Sequence, residues 1–363
     1  MIENRLKVAI THGDTNGVGY EMIIKAFEDP TMLEICTPII YGSSRIAEQH
    51  LRAINSEVKF NIINDARLAR EDRINLVECF NNEEVEVSFG TPTEASAKAA
   101  LRSFTRAFDD YKQKLYDVLV TSPVNRSTIN NFQGHSDYIE RSLNTDSKSI
   151  SILINESLRV ALVTNNLAVK DISESITKQK IVEKGKLFFE ALRRDLRVSS
   201  PRIAVMSLNP RCGEDGALGD EEKEIIKPAI DELVSMGINA YGPYATDVFF
   251  GRGDYYRFDG VMAMYHDQGM APFKTLTPED GVRLTSGLPI VRTAPAVGTQ
   301  FQEAGKGIVS PDSLRHAIYM AIDVFNNRAN YDEPLANPLP KLYHEKRDDS
   351  EKVRFRSSTN NQQ

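Results

Sequence analysis

The residues best suited to chemistry lie between Ala263 and Gly307, where the chain reads AMYHDQGMAPFK and, after a short break, GVRLTSGLPIVRTAPAVGTQFQEAGKG. His266 and Asp267 follow a strand-like run. A histidine there can bind a metal or shuttle a proton, while the carboxylate orients it or acts as a base. Three cations that could hold an anionic, phosphorylated substrate follow: Lys274, Arg283 and Arg292. A lone histidine is more often structural, and the neighbouring charges favour the catalytic interpretation here.

A second polar segment reads TSPVNR at residues 121–126 and then GHSDYIE at residues 134–140. His135 and Ser136 open a predicted helix, whose N-terminal N–H groups and dipole suit a phosphate or a carboxylate. The alternative is that Ser136 caps this helix and His135 lies on the surface.

Three further loops follow predicted strands. THGDTNGVGYE, at residues 11–21, has the glycines for an anion-binding turn, and a packing turn is the alternative. Asn165 and Asn166 end another strand and could satisfy a turn. Residues 207–222, SLNPRCGEDGALGDEE, place Arg211 at a loop tip; the alternative is an ordinary loop before an acidic helix start.

The bulk composition limits the possible partners. The chain has 363 residues and a net charge of −7, which argues against general nucleic-acid binding because that needs a basic surface. Three scattered cysteines predict a reducing, cytoplasmic location rather than a disulfide framework. No run reaches the ~18 apolar residues of a membrane span, and the apolar run near the first residue is too short for a signal peptide.

Short apolar runs alternate with longer amphipathic stretches, which predicts a largely parallel sheet with helices on both faces. The predicted strands are Leu6–Ile10, Thr37–Tyr41, Val118–Val120, Ile150–Ile154, Val160–Val163, Ile203–Met206 and Gly260–Tyr265. The predicted helices are Glu94–Lys114, Ile176–Arg194, Glu221–Met236 and Ser313–Asn327, the last with Ser313 as its N-cap. Ligands of such sheets bind beyond the carboxyl ends of the strands, so the polar loops are expected to meet at one rim.

Taken together, these motifs resemble the 4-hydroxythreonine-4-phosphate dehydrogenase family, in order from about Lys7 to Asn327. The resemblance implies an α/β/α fold like that of isocitrate and isopropylmalate dehydrogenases, with the active-site cleft between two domains. Residues 1–128 with 290–330 would form the first domain, and residues 129–289 the second, with the substrate and dimer contacts. Residues 331–363 would be an extended or disordered tail. The family works as a homodimer whose partner completes each active site.

The resemblance also implies the chemistry and the site. The family oxidises a phosphorylated substrate with NAD, and three histidines hold a divalent metal such as zinc that polarises the hydroxyl. Substrate contacts carry over onto His135, Ser136, Lys274 and Arg292. Arg283 stands where the family has a substrate-contacting asparagine, so it is expected to add charge near the phosphate end. The cofactor loop carries over onto Gly298, Thr299 and Gly305.

The metal positions depart from the family pattern. His266 is kept, but the other two ligand positions are Asn166 and Arg211. Arginine stays protonated and cannot ligate a metal, so we expect the metal to be lost. The cofactor loop also lacks the family's Asp-His, which is replaced by Ala296 and Val297, and Gln302 stands where the family has an aspartate.

Three functional hypotheses follow. The first is an NAD-dependent dehydrogenase in which Arg211 supplies the charge lost with the metal and Asp267 or Asp247 is the base, oriented by His266. The second is a non-catalytic paralogue that binds a phosphorylated metabolite. The third is a metal-free reaction in the same cleft, such as decarboxylation.

Overall fold

The computed structural model describes residues 5–80, 85–126, 129, 132, 134–143 and 148–337. In these residues twelve strands form one sheet in the order β3-β4-β2-β1-β5-β12-β11-β6-β7-β10-β8-β9. The strands are β1 (Lys7–Thr11), β2 (Thr37–Gly42), β3 (Phe60–Ile63), β4 (Ile74–Glu78), β5 (Val118–Thr121), β6 (Ile150–Ile154), β7 (Arg159–Leu162), β8 (Arg202–Met206), β9 (Asn239–Tyr244), β10 (Gly260–Ala263), β11 (Val282–Ser286) and β12 (Val291–Pro295).

Helices occupy the connections between these strands. They are α1 (Gly19–Ala26), α2 (Met32–Ile35), α3 (Ser44–Ala53), α4 (Glu94–Lys112), α5 (His135–Ser142), α6 (Ile172–Ser175), α7 (Lys178–Glu190), α8 (Lys227–Ser235), α9 (Thr246–Gly251), α10 (His266–Leu276) and α11 (Asp312–Ala336). Two π-helical segments, Ala191–Asp195 and Glu222–Ile226, adjoin α7 and α8. None of the helices in the described residues is both long and apolar enough to cross a membrane.

All seven predicted strands are present, and they lie on both sides of the central pair β12 and β11, which was not predicted. Val8, Ala9 and Ile10 of β1 are completely buried, as expected for a strand covered by helices on both faces. The five unpredicted strands lack such continuous apolar runs. β3 and β9 lie at the two edges of the sheet, while β11 and β12 each carry an arginine.

The prediction that the polar loops meet at one rim is wrong. Strands β6, β7, β11 and β12 make three antiparallel pairings in succession, β12 with β11, β11 with β6, and β6 with β7. Three reversals leave β7, β10 and β8 running opposite to β1, β5 and β12. The loops after β1 and β5 therefore lie at one rim, and the loops after β7, β8 and β10 lie at the other.

The C-terminal helix also differs from its prediction. Pro311 is the residue before α11, and the Ser313 hydroxyl donates to the carbonyl oxygen of Gly281 (2.7 Å), so Ser313 is not the N-cap. The helix continues through residues 331–336, which were predicted to belong to an extended tail. Arg194 forms a bidentate ion pair with Asp332, which anchors this last part of the helix. Residues 338–363 lie outside the described residues.

Candidate active site

A cavity of about 1090 Å³ lies across the middle of the sheet, over β12, β11 and β6, between the loop after β5 and the loop after β7. The sheet register explains its floor, because Arg292 of β12 lies opposite Thr285 of β11, which lies opposite Ser151 of β6. Seven predicted site positions line it: His135, Ser136, Asn166, Arg283, Arg292, Gly298 and Thr299. The cavity thus joins the two rims of the sheet.

Arg292 is the most buried cation of this cavity, with 5% of its surface exposed. Its Nε donates to the Thr121 hydroxyl and its Nη1 to the Thr285 hydroxyl, each at 3.0 Å. Burial, followed by the charge of Arg283, lowers the pKa of Arg292 to about 9. Among the described residues no carboxylate pairs with it. A buried guanidinium held by neutral hydroxyls is suited to receive an anion.

His135 and Ser136 begin α5 and face the same cavity. The His135 ring packs edge-on against Phe104 at 4.6 Å, and its Nδ1 lies 3.4 Å from Nη2 of Arg292. Burial and then Arg292 lower the pKa of His135 well below its ordinary value, so the imidazole is neutral at pH 7. The N-cap is Gly134, and Ser136 instead makes a 3.0 Å hydroxyl–hydroxyl bond with Thr285. Ser136 is therefore not the capping residue of this helix, and His135 does not lie on the surface.

Two further cations belong to the same charged region, because Arg283 acts on Arg292 and also on Lys274. Arg283 has its pKa lowered by burial and then by the charge of Arg126. Lys274 has its pKa lowered by burial and then by Arg283, and it donates a hydrogen bond to the carbonyl oxygen of Ala296. Lys274 is not among the residues that line the cavity. The charges of Lys274, Arg283, Arg292 and Arg126 therefore act on one another, which favours an anion between them.

Sequence reasoning missed several polar groups of this cavity. Arg126 ends the TSPVNR segment and crosses to the loop after β7, where its Nη2 donates to Oδ1 of Asn166 at 3.2 Å. Ser122, Ser151 and Asn165 line the cavity with buried oxygens that have no hydrogen-bond partner among the described residues. Their sequence signal was weak, because Ser122 and Asn165 read as ordinary loop residues and Ser151 is a single polar residue inside β6. Buried polar atoms are normally paired, so these oxygens point to a polar ligand.

The second rim carries the positions of the expected metal site. Asn166, His266 and Arg211 follow β7, β10 and β8, which are adjacent parallel strands. His266 Nδ1 lies 2.8 Å from Oδ1 of Asp267, so the predicted pairing of these two side chains is present. Asp247, the other predicted base, is an exposed residue of the first turn of α9. Arg211, His266, Asp267 and Asp247 are not among the residues that line the cavity.

The donor atoms at this rim do not fit a divalent metal. Arg211 has 73% of its side chain exposed and pairs with Glu214 at 2.5 Å. Its backbone lies in the left-handed region together with residues 212–215, with φ between 44° and 77°. Asn166 accepts its hydrogen bond from a guanidinium. Within the part of the chain that the structure describes, no three His, Cys, Asp or Glu side chains are grouped to hold a metal.

The expected cofactor loop packs on the glycine turn after β1. The Val18 N–H donates to the Thr299 carbonyl oxygen at 3.2 Å, and the Gly305 N–H donates to Glu21 at 3.0 Å. Gly19 must be a glycine for packing, because a Cβ there would lie 1.9 Å from the His12 carbonyl oxygen. At Gly19, the glycine turn of residues 11–21 is therefore a packing turn. Gly298, by contrast, has no atom within 4 Å of its Cβ position, so it presents bare backbone to the cavity.

Comparison with known proteins identifies the family. The family described as "Pyridoxal phosphate biosynthetic protein PdxA" matches residues 34–321. The chain is 51% identical over 359 residues to 4-hydroxythreonine-4-phosphate dehydrogenase of Bacteroides thetaiotaomicron, covering 98% of each chain. The chain belongs to the PdxA family. The prediction that it is an oxidoreductase enzyme of this family is confirmed.

Two further similar proteins are a relative named for a different substrate and a solved structure with the same fold. D-threonate 4-phosphate dehydrogenase of Cupriavidus necator is 33% identical over 335 residues, covering 89% of this chain and 98% of the relative. The solved 4-hydroxythreonine-4-phosphate dehydrogenase of Klebsiella pneumoniae has a TM-score of 0.74 at 26% identity, covering 88% of this chain and 99% of that structure. The predicted α/β fold class is confirmed by this likeness. The division into two domains stays a prediction.

Proposed function

We propose that this PdxA-family chain oxidises the hydroxyl of a phosphorylated hydroxy acid with NAD, and that 4-phosphohydroxy-L-threonine is its substrate. The product is a β-keto acid that can lose CO2, within pyridoxal phosphate biosynthesis. The single observation that carries this proposal is Arg292, a buried guanidinium whose partners are Thr121 and Thr285 hydroxyls. Such a cation is costly to bury without an anion, and a phosphate satisfies it with a bidentate contact.

The other groups of the cavity have distinct roles in this proposal. Ser136 and the N-terminal N–H groups of α5 bind the phosphate beside Arg292, and neutral His135 donates or accepts one further hydrogen bond. NAD, when bound, accepts the hydride of the oxidised carbon. The bare backbone at Gly298 and Thr299 leaves room for the dinucleotide at the cavity wall, with Gly305 further along the same loop.

Proton removal in this proposal falls to the second rim. His266 orients Asp267, with which it shares a 2.8 Å contact, and Asp267 or Asp247 takes the hydroxyl proton. Both carboxylates are exposed in the single chain. We further propose a homodimer in which the partner covers this rim and excludes water from it. Three free cysteines support a cytoplasmic location, and the acidic net charge argues against a nucleic-acid partner.

A second substrate, D-threonate 4-phosphate, is favoured by one observation. Among the described residues that line the cavity, the cations outnumber the carboxylates, so the cavity is cationic: the cations are Arg126, Lys180, Lys184, Arg283 and Arg292, and the carboxylates are Asp137 and Glu140. 4-Phosphohydroxy-L-threonine carries an ammonium group that such a cavity repels, whereas D-threonate 4-phosphate carries a hydroxyl there. The relative from Cupriavidus necator is named for that acid.

The test is NAD reduction, followed at the absorbance of NADH, with each of the two substrates and with EDTA in parallel. We expect turnover of at least one substrate, unaffected by EDTA. Phosphorylated ligands should also raise the melting temperature more than unphosphorylated ones. If neither substrate reduces NAD but both raise the melting temperature, the chain is a binding protein and the proposal is wrong.

A further inference from the structure

The cation that faces the Asn166 position is Arg126. Arg126 lies after β5 and Asn166 after β7, two strands separated in the sheet by β12, β11 and β6. Their 3.2 Å hydrogen bond therefore spans the cavity, and both residues line it, although both are exposed in the single chain. Because these loops belong to opposite rims, the bond places a positive charge between the anion-binding floor and the rim that carries His266.

The electrostatic effect of Arg126 reaches the neighbouring groups. After burial, it is the charge that lowers the pKa of Arg283, and it contributes, after Arg292, to lowering the pKa of His135. The Asn166 amide oxygen orients the guanidinium without cancelling its charge, which a carboxylate at that position would do. Arg211, the cation that the sequence favoured for this role, points to solvent and is paired with Glu214.

We propose that Arg126, oriented by Asn166, stabilises the negative charge that develops on the substrate hydroxyl oxygen during oxidation, in place of a divalent metal. This inference rests on the proposed function. In the step, the carbon–hydrogen bond breaks and its hydride passes to NAD. The O–H proton passes to Asp267 or Asp247, and the carbon–oxygen single bond becomes a carbonyl. Arg126 keeps its proton throughout and acts as a fixed positive charge.

The test compares Arg126→Gln, Arg126→Lys and Asn166→Asp, all assayed in EDTA. Arg126→Gln removes the charge but keeps a hydrogen-bond donor, and we expect kcat to fall about 10²–10³-fold, as when one oxyanion-stabilising donor is removed. KM for the phosphorylated substrate should change less than about fivefold, because Arg292 is intact. Arg126→Lys should recover part of kcat. Arg52→Gln, at an exposed arginine of α3, is the matched control and should keep wild-type kcat.

Asn166→Asp separates an electrostatic role from a structural one. The new carboxylate holds Arg126 more tightly but cancels its charge, so we expect kcat to fall although the contact is strengthened. A merely structural contact would leave kcat unchanged or raise it. The pH at which kcat reaches half its maximum should also move upward in Arg126→Gln, because the substrate hydroxyl loses its proton less readily without the charge.

Two outcomes overturn this inference without affecting the proposed function. One is an active wild type whose Arg126→Gln variant keeps kcat within threefold. The other is a wild type that loses activity in EDTA and regains it with a divalent metal. No NAD reduction by the wild type with either substrate would overturn the proposed function, and this inference with it. Melting curves of each variant establish that it is folded.

Discussion

Replacing Arg292 with methionine should make the unliganded protein more stable while removing its anion site. Burial, and then the charge of Arg283, lowers the pKa of Arg292 from its ordinary value to about 9, which corresponds to roughly 5 kcal/mol against keeping the charge in the fold. Methionine fills similar space without that charge. Thr121 loses its donor, at a cost of about 1–3 kcal/mol, whereas Thr285 keeps Ser136. The net gain is roughly 2–4 kcal/mol.

The gain can be read from thermal unfolding in a buffer without phosphate or sulfate. For 363 residues the unfolding entropy is about 0.8 kcal/mol per kelvin, so Tm should rise by about 3–5 °C. Added phosphorylated substrate should raise the Tm of the wild type and leave that of Arg292→Met unchanged. Arg52→Met, at an exposed position, is the control and should shift Tm by less than about 1 °C.

The pH dependence of this difference has a definite sign. Arg292 is a base whose pKa is lowered in the folded state, so its cost is fully present below about pH 9 and fades as the pH rises from there toward the ordinary pKa of arginine. The stability advantage of Arg292→Met should therefore shrink above about pH 9. A Tm for Arg292→Met that lies below the wild-type value in anion-free buffer would refute the reasoning, because burial of the charge would then not be the dominant cost.

Three further predictions concern the fold around the site. Burial, and then the imidazole of His50, lowers the pKa of His12 to about 3, so the wild type loses stability as the pH falls from 6.5 toward 3. In acid unfolding, His12→Phe should lessen that loss by about 1.4 kcal/mol per pH unit. An unchanged slope of the unfolding free energy against pH would contradict this prediction. Arg328→Met leaves the buried Asp195 carboxylate without its ion pair, although the Ser286 hydroxyl still donates to it, so the free energy of unfolding in urea should fall by about 3–5 kcal/mol. A loss below about 1 kcal/mol would show that the pair contributes little. Gly19→Ala should lower Tm, because its Cβ would lie 1.9 Å from the His12 carbonyl oxygen. Gly298→Ala is the control and should leave Tm unchanged, because the space around its Cβ position is open. Equal melting temperatures for the two variants would rule out the steric argument.

Periodic apolar patterning was sufficient to predict the buried strands and the long helices. β1 and β10 are short, continuous apolar runs, which is typical of buried strands. Helix α4 lies within its predicted range of Glu94–Lys114. The pattern failed where polar residues sit inside strands. Arg283 and Arg292 belong to β11 and β12, and their charges conceal the strands that form the cavity floor.

The extent of α11 was hidden from the sequence for a related reason. Periodicity ends near residue 331 and Pro334 follows, yet the helix continues to Ala336. An ion pair between Arg194 and Asp332 bridges 138 positions of the chain and holds this end in place. Contacts between residues so far apart carry no local signal.

The sequence by itself determined the family and the α/β class, because these depend on residue types in local order. Tertiary structure decided how those residues are combined. Three antiparallel pairings put the loops after β5 and β7 at opposite rims, and the cavity between them brings Arg126 to Asn166. Arg211, which local order placed in the same role, is turned to solvent by a left-handed run of backbone. Strand direction depends on pairing between residues far apart in the chain. For that reason only the folded chain shows that the positive charge near Asn166 belongs to Arg126 and not to Arg211.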